Sequence, residues 1–297
     1  MSRTGEGLPS ARAGEARQIL HVSDIHFGPH FLSDVADGVT DLVDRKRPDL
    51  VVVSGDLTQR AKIVQFRDAR RWVDALQAPW IAVPGNHDIP MYRVWERLFV
   101  PYGAYKKNFS DEMEPLFECA GLFVVGINTA YPWTIKDGRF TIESLRRVKE
   151  RLESAPADAA KIVVAHHPTI PPPRFDSRRV ARRSLEALHL FAHMEVEMVL
   201  SGHVHQTWIG TSEEFYPQGH RPVLLVNSGT STSARGRGWE KKRNSANWIR
   251  IDHDAVTISH LLWHPVERGF LEWSRHHYPR RHIRPFDLGL ALDDPVV

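Results

Sequence analysis

Short apolar runs alternate with amphipathic segments through most of the chain, the pattern of an α/β protein. Ile19 to Val22 reads as a strand, and Leu32, Val35, Val39, Leu42 and Val43 then recur at helical spacing. Leu50 to Val53 is a continuous apolar run, as expected of a strand buried on both faces. Ile63, Phe66, Val73 and Leu76 mark a second helix, followed by a strand at Trp80 to Val83. An aromatic-rich stretch from Met91 to Phe117 precedes a strand at Leu122 to Ile127. Ile142, Leu145, Val148 and Leu152 give a third helix, Ile162 to Ala165 a strand, Ser184 to Met194 a helix and Met198 to Leu200 a strand. Beyond His205 the character changes. Trp208 to Gly210, Val223 to Val226, Trp248 to Ile251 and Val256 to Leu262 are short runs separated by turn residues, which predicts antiparallel strands.

A chain of 297 residues, 42% hydrophobic, can bury one large core, and no break argues for a second. The expected layout is a disordered segment at 1–16, one folded domain at 17–264 and a basic extension at 265–297, its last dozen residues disordered. The lone Cys119 cannot form an internal disulfide, which suits a reducing compartment. The first residues hold no apolar core of a signal peptide, and no run of about 18 apolar residues could span a membrane. A cytoplasmic protein is therefore expected. The net charge of +3 does not by itself indicate a nucleic-acid binder, although basic residues cluster from Arg235 to Arg243 and again in the tail.

Five polar clusters follow five of these strands: Asp24-Ile25-His26, Gly55-Asp56, Gly85-Asn86-His87-Asp88, His166-His167 and Gly202-His203-Val204-His205. Loops at the carboxyl ends of strands in an open α/β sheet converge on a ligand. Imidazole and carboxylate suit first-row divalent metals, and an Asn carbonyl can complete the set. Asp24, His26, Asp56, Asn86, His166, His203 and His205 are too many for one centre with an open position. Two ions are expected, Mn, Fe or Zn, roughly 3.5–4 Å apart, sharing a carboxylate and a water acidified toward a pKa of about 7.

These motifs, in this order, resemble the calcineurin-like metallophosphoesterase superfamily, whose pattern is Asp-x-His, Gly-Asp, Gly-Asn-His-Asp/Glu, a His after a strand and Gly-His-x-His. The resemblance covers about residues 18–262. It implies a four-layer sandwich of two mixed β-sheets flanked by helices. It also implies hydrolysis of a phosphate ester by a hydroxide bridging two divalent metal ions. Asp24, His26 and His205 fall on the first ion, Asn86, His203 and one of the His166-His167 pair on the second, and Asp56 between them. His87 matches the histidine that stabilises the phosphate or protonates the leaving group, with Asp88 to orient it. The family ligand is the first polar residue off its strand, followed by a variable residue and a proline. That selects His166 and leaves His167 beside the substrate, in a supporting role or in none.

The segments HVSDIHFG, VVVSGDLTQ, VPGNHD and VVAHHP look most like the bacterial branch of class III cyclic-nucleotide phosphodiesterases and glycerophosphodiesterases. The expected partner is a small-molecule phosphate ester, such as a nucleotide. A UDP-sugar lipid pyrophosphatase, a phosphomonoesterase, a nuclease and a non-catalytic metal-binding module are the alternatives. Arg60 stands where the phosphoprotein phosphatases keep a phosphate-binding arginine, or is a surface residue; no other residue suggests a dianion pocket, so diesters are expected to be preferred. Asn227 to Thr232 could offer backbone N–H groups to a phosphate or be an ordinary loop. The Arg235–Arg243 stretch is a cationic rim or a solvated hairpin.

Overall fold

The structure, a computed structural model, describes residues 16–171, 180–214 and 222–280. Of the segments expected to be disordered, residues 1–15 of the stretch 1–16 and the last dozen residues lie outside them.

Two six-stranded mixed sheets stack face to face, with helices on both outer faces. The first sheet joins β1 (Arg17–Val22), β2 (Leu50–Val53) and β3 (Trp80–Ala82) to β10 (Ser245–Ile251), β11 (Ala255–His264) and β12 (Gly269–Pro279), in the order β12-β11-β10-β1-β2-β3. The second joins β4 (Leu116–Cys119), β5 (Leu122–Ile127), β6 (Ala160–Ala165), β7 (Met198–Ser201), β8 (Trp208–Thr211) and β9 (Leu224–Asn227), in the order β4-β5-β6-β7-β9-β8.

Side-chain alternation divides each apolar strand between two interfaces. Leu20, Val22, Val51 and Val53 face α1 (Ser33–Lys46) and α2 (Ile63–Ala75), where they meet Val39, Leu42 and Phe66. Ile19, Leu50 and Val52 point the other way, into a layer shared with Leu122, Val124, Ile162 and Val164 of the second sheet. Phe123, Val125, Val163 and Val199 then cover α5 (Ile142–Glu153) and α6 (Ser184–His193) through Val148, Leu152 and Phe191. Burying each such side chain contributes about 1.5–3 kcal/mol, and three apolar layers make four layers of secondary structure.

The core strands and helices stand where the pattern predicts them, and the departures lie elsewhere. The run at Val223–Val226 ends in β9, which pairs parallel with β7 and antiparallel only with β8. The aromatic-rich stretch holds two short helices, α3 (Val94–Phe99) and α4 (Gly103–Asn108), and leads into β4. Part of the segment read as a basic extension is β12, paired along its length with β11 and anchored by the buried Phe270. No helix among the described residues is long and apolar enough to cross a membrane.

Candidate metal centre

β1, β2 and β3 run parallel, as do β6 and β7, and each of these five strands ends in one of the polar clusters. Asp24, His26, Asp56, His203 and His205 all hold positive φ, between 52° and 70°. Non-glycine residues adopt that left-handed conformation at a cost of order 1–3 kcal/mol each, and such strain gathers at functional sites. Gly85 is required by proximity: a Cβ there would lie 2.1 Å from Asp56 Oδ1 and 2.3 Å from the Asp56 nitrogen.

The side chains form two groups that share Asp56. In the first, Asp24 Oδ1 lies 3.0 Å from His205 Nε2 and 3.6 Å from His26 Nε2. Asp56 Oδ2 faces that group, 3.7 Å from His26 Nε2. The other oxygen, Oδ1, lies 3.4 Å from His166 Nε2, which is 3.3 Å from Asn86 Oδ1. The His203 ring completes the second group, its centroid 5.2 Å from that of His166.

Backbone carbonyls aim the imidazoles. His166 Nδ1 donates to Ser54 O at 2.8 Å and His205 Nδ1 to Arg235 O at 2.8 Å, while Thr58 O lies 3.4 Å from His26 Nδ1. With Nδ1 turned to a carbonyl, each Nε2 faces inward as the atom that would meet a cation. This donor set fits metal ions. The buried Asp24 Oδ1 accepts no hydrogen bond, and electron-rich Nε2 atoms crowd it. A cation placed among them turns that repulsion into attraction.

The charge states agree. Burial would raise the carboxyls of Asp24 and Asp56, but the surrounding histidines overcome it and hold both well below the usual carboxylate range. Burial drops His26 to about 4 and, with His166 adding to it, His203 to about 3. Burial acts downward on His166 too, yet the Asp56 carboxylate lifts it to about 9. Ionised carboxylates among mostly neutral imidazoles are what divalent cations bind, and His166 carries a proton where a cation would compete for the site.

His87 stands at the floor of a cavity of about 400 Å³ that opens over the two groups. Its Nδ1 donates to Gln59 O at 2.9 Å, which leaves Nε2 turned into the cavity, and its backbone N–H donates to Asp56 Oδ1 at 2.8 Å. Asp88 does not orient it, contrary to expectation. The Asp88 carboxylate instead accepts from the backbone N–H of Gly85 (2.9 Å), Leu57 (3.1 Å) and Thr58 (2.8 Å) and from the Thr58 hydroxyl (2.9 Å), tying two ligand-bearing loops together. Burial and the nearby Asp56 push its pKa up to about 7, against the pull of these donors.

His167 is buried behind the site. Its Nδ1 lies 2.9 Å from the Thr129 hydroxyl and its Nε2 3.1 Å from Lys136 O. It falls within a spatial group with His166 and His203, and with both ring nitrogens engaged it braces the 128–138 loop. Asn227 to Thr232 also faces inward. Thr230 and Thr232 hydroxyls donate to the carbonyls of Asp24 (2.7 Å) and Ile25 (3.0 Å), and Ser231 Oγ accepts from Ser23 N (3.0 Å), so this loop straps the first ligand loop in place.

The basic stretch divides. Arg235 enters the site, its Nη1 3.2 Å from His87 Nε2, 3.4 Å from His26 Nε2 and donating to Gln59 Oε1 at 3.4 Å. Arg60, Arg97, Lys136 and Arg237 also line the cavity. Only Arg60 and the 235–243 stretch carried any signal in sequence, so the expectation of a site with few arginines, on which the preference for diesters was based, does not hold.

A sequence profile described as "Calcineurin-like phosphoesterase" matches residues 17–207. A probable cyclic nucleotide phosphodiesterase of Synechococcus is 32% identical over 170 residues, covering 56% of this chain and 61% of that one. A cAMP/cGMP dual specificity phosphodiesterase of Mycobacterium tuberculosis is 28% identical over 208 residues, covering 63% of this chain and 61% of that one. The chain thus spans about three fifths of these two relatives. In fold it is similar to a purple acid phosphatase from yellow lupin, with a TM-score of 0.69 at 13% identity over 91% of this chain and 55% of that one.

Proposed function

The chain belongs to the calcineurin-like phosphoesterase family, and we propose that it is a dinuclear-metal phosphodiesterase acting on a small-molecule ester. Asp24, His26 and His205 would hold one divalent ion and Asn86, His166 and His203 the other, with an oxygen of Asp56 offered to each. Mn, Fe or Zn suits this mixed nitrogen and oxygen set. When bound, such a pair supplies Lewis acidity to phosphate oxygens and lowers the pKa of coordinated water.

The remaining work falls to the chain's own residues. His87, its tautomer set by Gln59 O, presents Nε2 to protonate the leaving alkoxide. Arg235, beside both His87 and His26, holds a non-bridging oxygen of the scissile phosphate. We place the protein in the cytoplasm, on the strength of its single cysteine, Cys119.

The observation that carries this reading is Asp56, whose two oxygens face two different ligand groups, with His87 Nε2 alongside. The relatives named as phosphodiesterases favour a diester. Assay of the Mn²⁺-loaded protein against a cyclic nucleotide, an aryl phosphodiester and the matching monoester tests it. Turnover of diesters with the higher kcat/KM is expected, and a clear preference for the monoester overturns the diester reading.

A further inference from the structure

The phosphodiesterase reading accounts for the floor of the cavity and leaves its mouth unexplained. Arg60, Arg97 and Lys136 line it together with Arg235, and none of the four forms an ion pair with a carboxylate among the described residues. Other arginines of the chain do pair: Arg70 with Asp74, Arg93 with Glu96, Arg147 with Glu114, Arg280 with Glu197. Arg93 and Arg97 lie one helical turn apart, the one neutralised and the other directed into the cavity.

Arg60 and Arg97 are held in place without losing their charge. The Arg60 guanidinium sits over the Tyr92 ring, 5.2 Å from its centroid; such a contact fixes orientation and leaves the charge intact. Arg97 donates to Pro90 O at 3.0 Å and to Thr134 O, using part of its five-donor fork on neutral carbonyls. Lys136 projects from a loop fixed by His167 through the Lys136 carbonyl. Beyond Asp56, Asp137 is the one carboxylate in the lining.

We propose that the substrate carries a second phosphate: a phosphodiester, one arm of which ends in a phosphomonoester that Arg60, Lys136 and Arg97 bind at the cavity mouth. This rests on the phosphodiesterase reading. A diester presents one negative charge to the floor, whereas a terminal phosphate brings about −1.5 to −2 and three strong acceptors to the cations left over. The terminal group is a handle and does not react. Water adds its OH to the diester phosphorus and its proton to the leaving oxygen, and the terminal phosphate leaves intact.

The test compares thymidine 5′-(p-nitrophenyl phosphate) with the same compound bearing a 3′-phosphate, two substrates with one scissile bond. The 3′-phosphorylated compound is expected to show kcat/KM about 10–100-fold higher, the range of one to two charge-assisted contacts, with the advantage shrinking as salt rises. The double variant Arg60→Gln/Lys136→Gln, both positions exposed, should bring the ratio toward unity. By calorimetry, thymidine 3′,5′-bisphosphate should bind more tightly than thymidine 5′-monophosphate in the wild type, and the variant should narrow that gap. Equal turnover of the two diesters overturns the second-phosphate inference and leaves the phosphodiesterase reading standing. Turnover of neither, by protein that hydrolyses p-nitrophenyl phosphate, overturns both.

Discussion

The Nε2 atoms of His26 and His205 face each other at 3.3 Å although 179 residues separate them in sequence. His205 donates its Nδ1 hydrogen to Arg235 O, and Thr58 O stands beside Nδ1 of His26. The facing nitrogens therefore meet lone pair to lone pair, with Asp24 Oδ1 as a third acceptor. A fold that spends left-handed backbone on His26, His205 and Asp24 to bring three acceptors together is built around a cation.

In the proposed reading His87 acts on the leaving group and takes no part in holding metal. His87→Ala should therefore keep its metal content while kcat falls by roughly 10²–10⁴. The loss should be larger for alkyl than for nitrophenyl leaving groups, since a good leaving group needs no proton. Metal lost in step with activity would put His87 in the wrong role.

Asp88 is a structural staple. Removing its carboxylate strands four donors from Gly85, Leu57 and Thr58, and Asp88→Ala should cost about 2–4 kcal/mol of stability. Denaturant unfolding measures this. An unchanged midpoint together with a kcat defect like that of His87→Ala would restore Asp88 to the chemistry.

Gly85→Ala tests how closely the second and third ligand loops approach. The added methyl would overlap Asp56 Oδ1 and its backbone nitrogen, so the Asp56 carboxylate must move. Metal affinity and activity should fall together while far-UV circular dichroism shows the fold retained. Wild-type metal binding in the variant would contradict the packing described.

The five ligand loops were legible because chemistry and periodicity coincide there: each cluster follows an apolar run whose alternation marks a strand. The mouth of the cavity was not. Arg235 reaches His26 across 209 residues, and no local pattern reveals such closure. α3 buries no residue, so its apolar side chains carry no inward period. β12 is an edge strand with only Phe270 well buried, and its charged sequence reads as a tail. Asp88 looked catalytic because it follows His87 directly, yet its side chain turns toward backbone donors instead.

A polar patch in the layer between the sheets sets an acid limit. His260 Nδ1 donates to Asn247 Oδ1 at 2.7 Å, Asn247 Nδ2 donates to His21 Nδ1 at 3.3 Å, and His21 Nε2 meets the Ser54 hydroxyl at 2.9 Å. Burial lowers His21 to about 3 and His260 to about 4. Below pH about 6.5 the unfolded chain protonates these rings and the folded chain does not. Stability is therefore complete above that pH and falls on acidification toward pH 4, by about 1.4 kcal/mol per pH unit for each ring. Unfolding measured across this window should show a shallower slope for His260→Gln than for wild type; equal slopes would count against a neutral, buried His260.

The most direct test of the account is elemental analysis of the purified chain beside its Asp56→Ala variant. The wild type should carry about two equivalents of divalent metal per chain. Asp56→Ala, deprived of the carboxylate whose oxygens face both groups, should lose much of that metal. Two full equivalents retained in the variant, or a wild type that takes up none from excess Mn²⁺, would contradict a dinuclear centre bridged by Asp56.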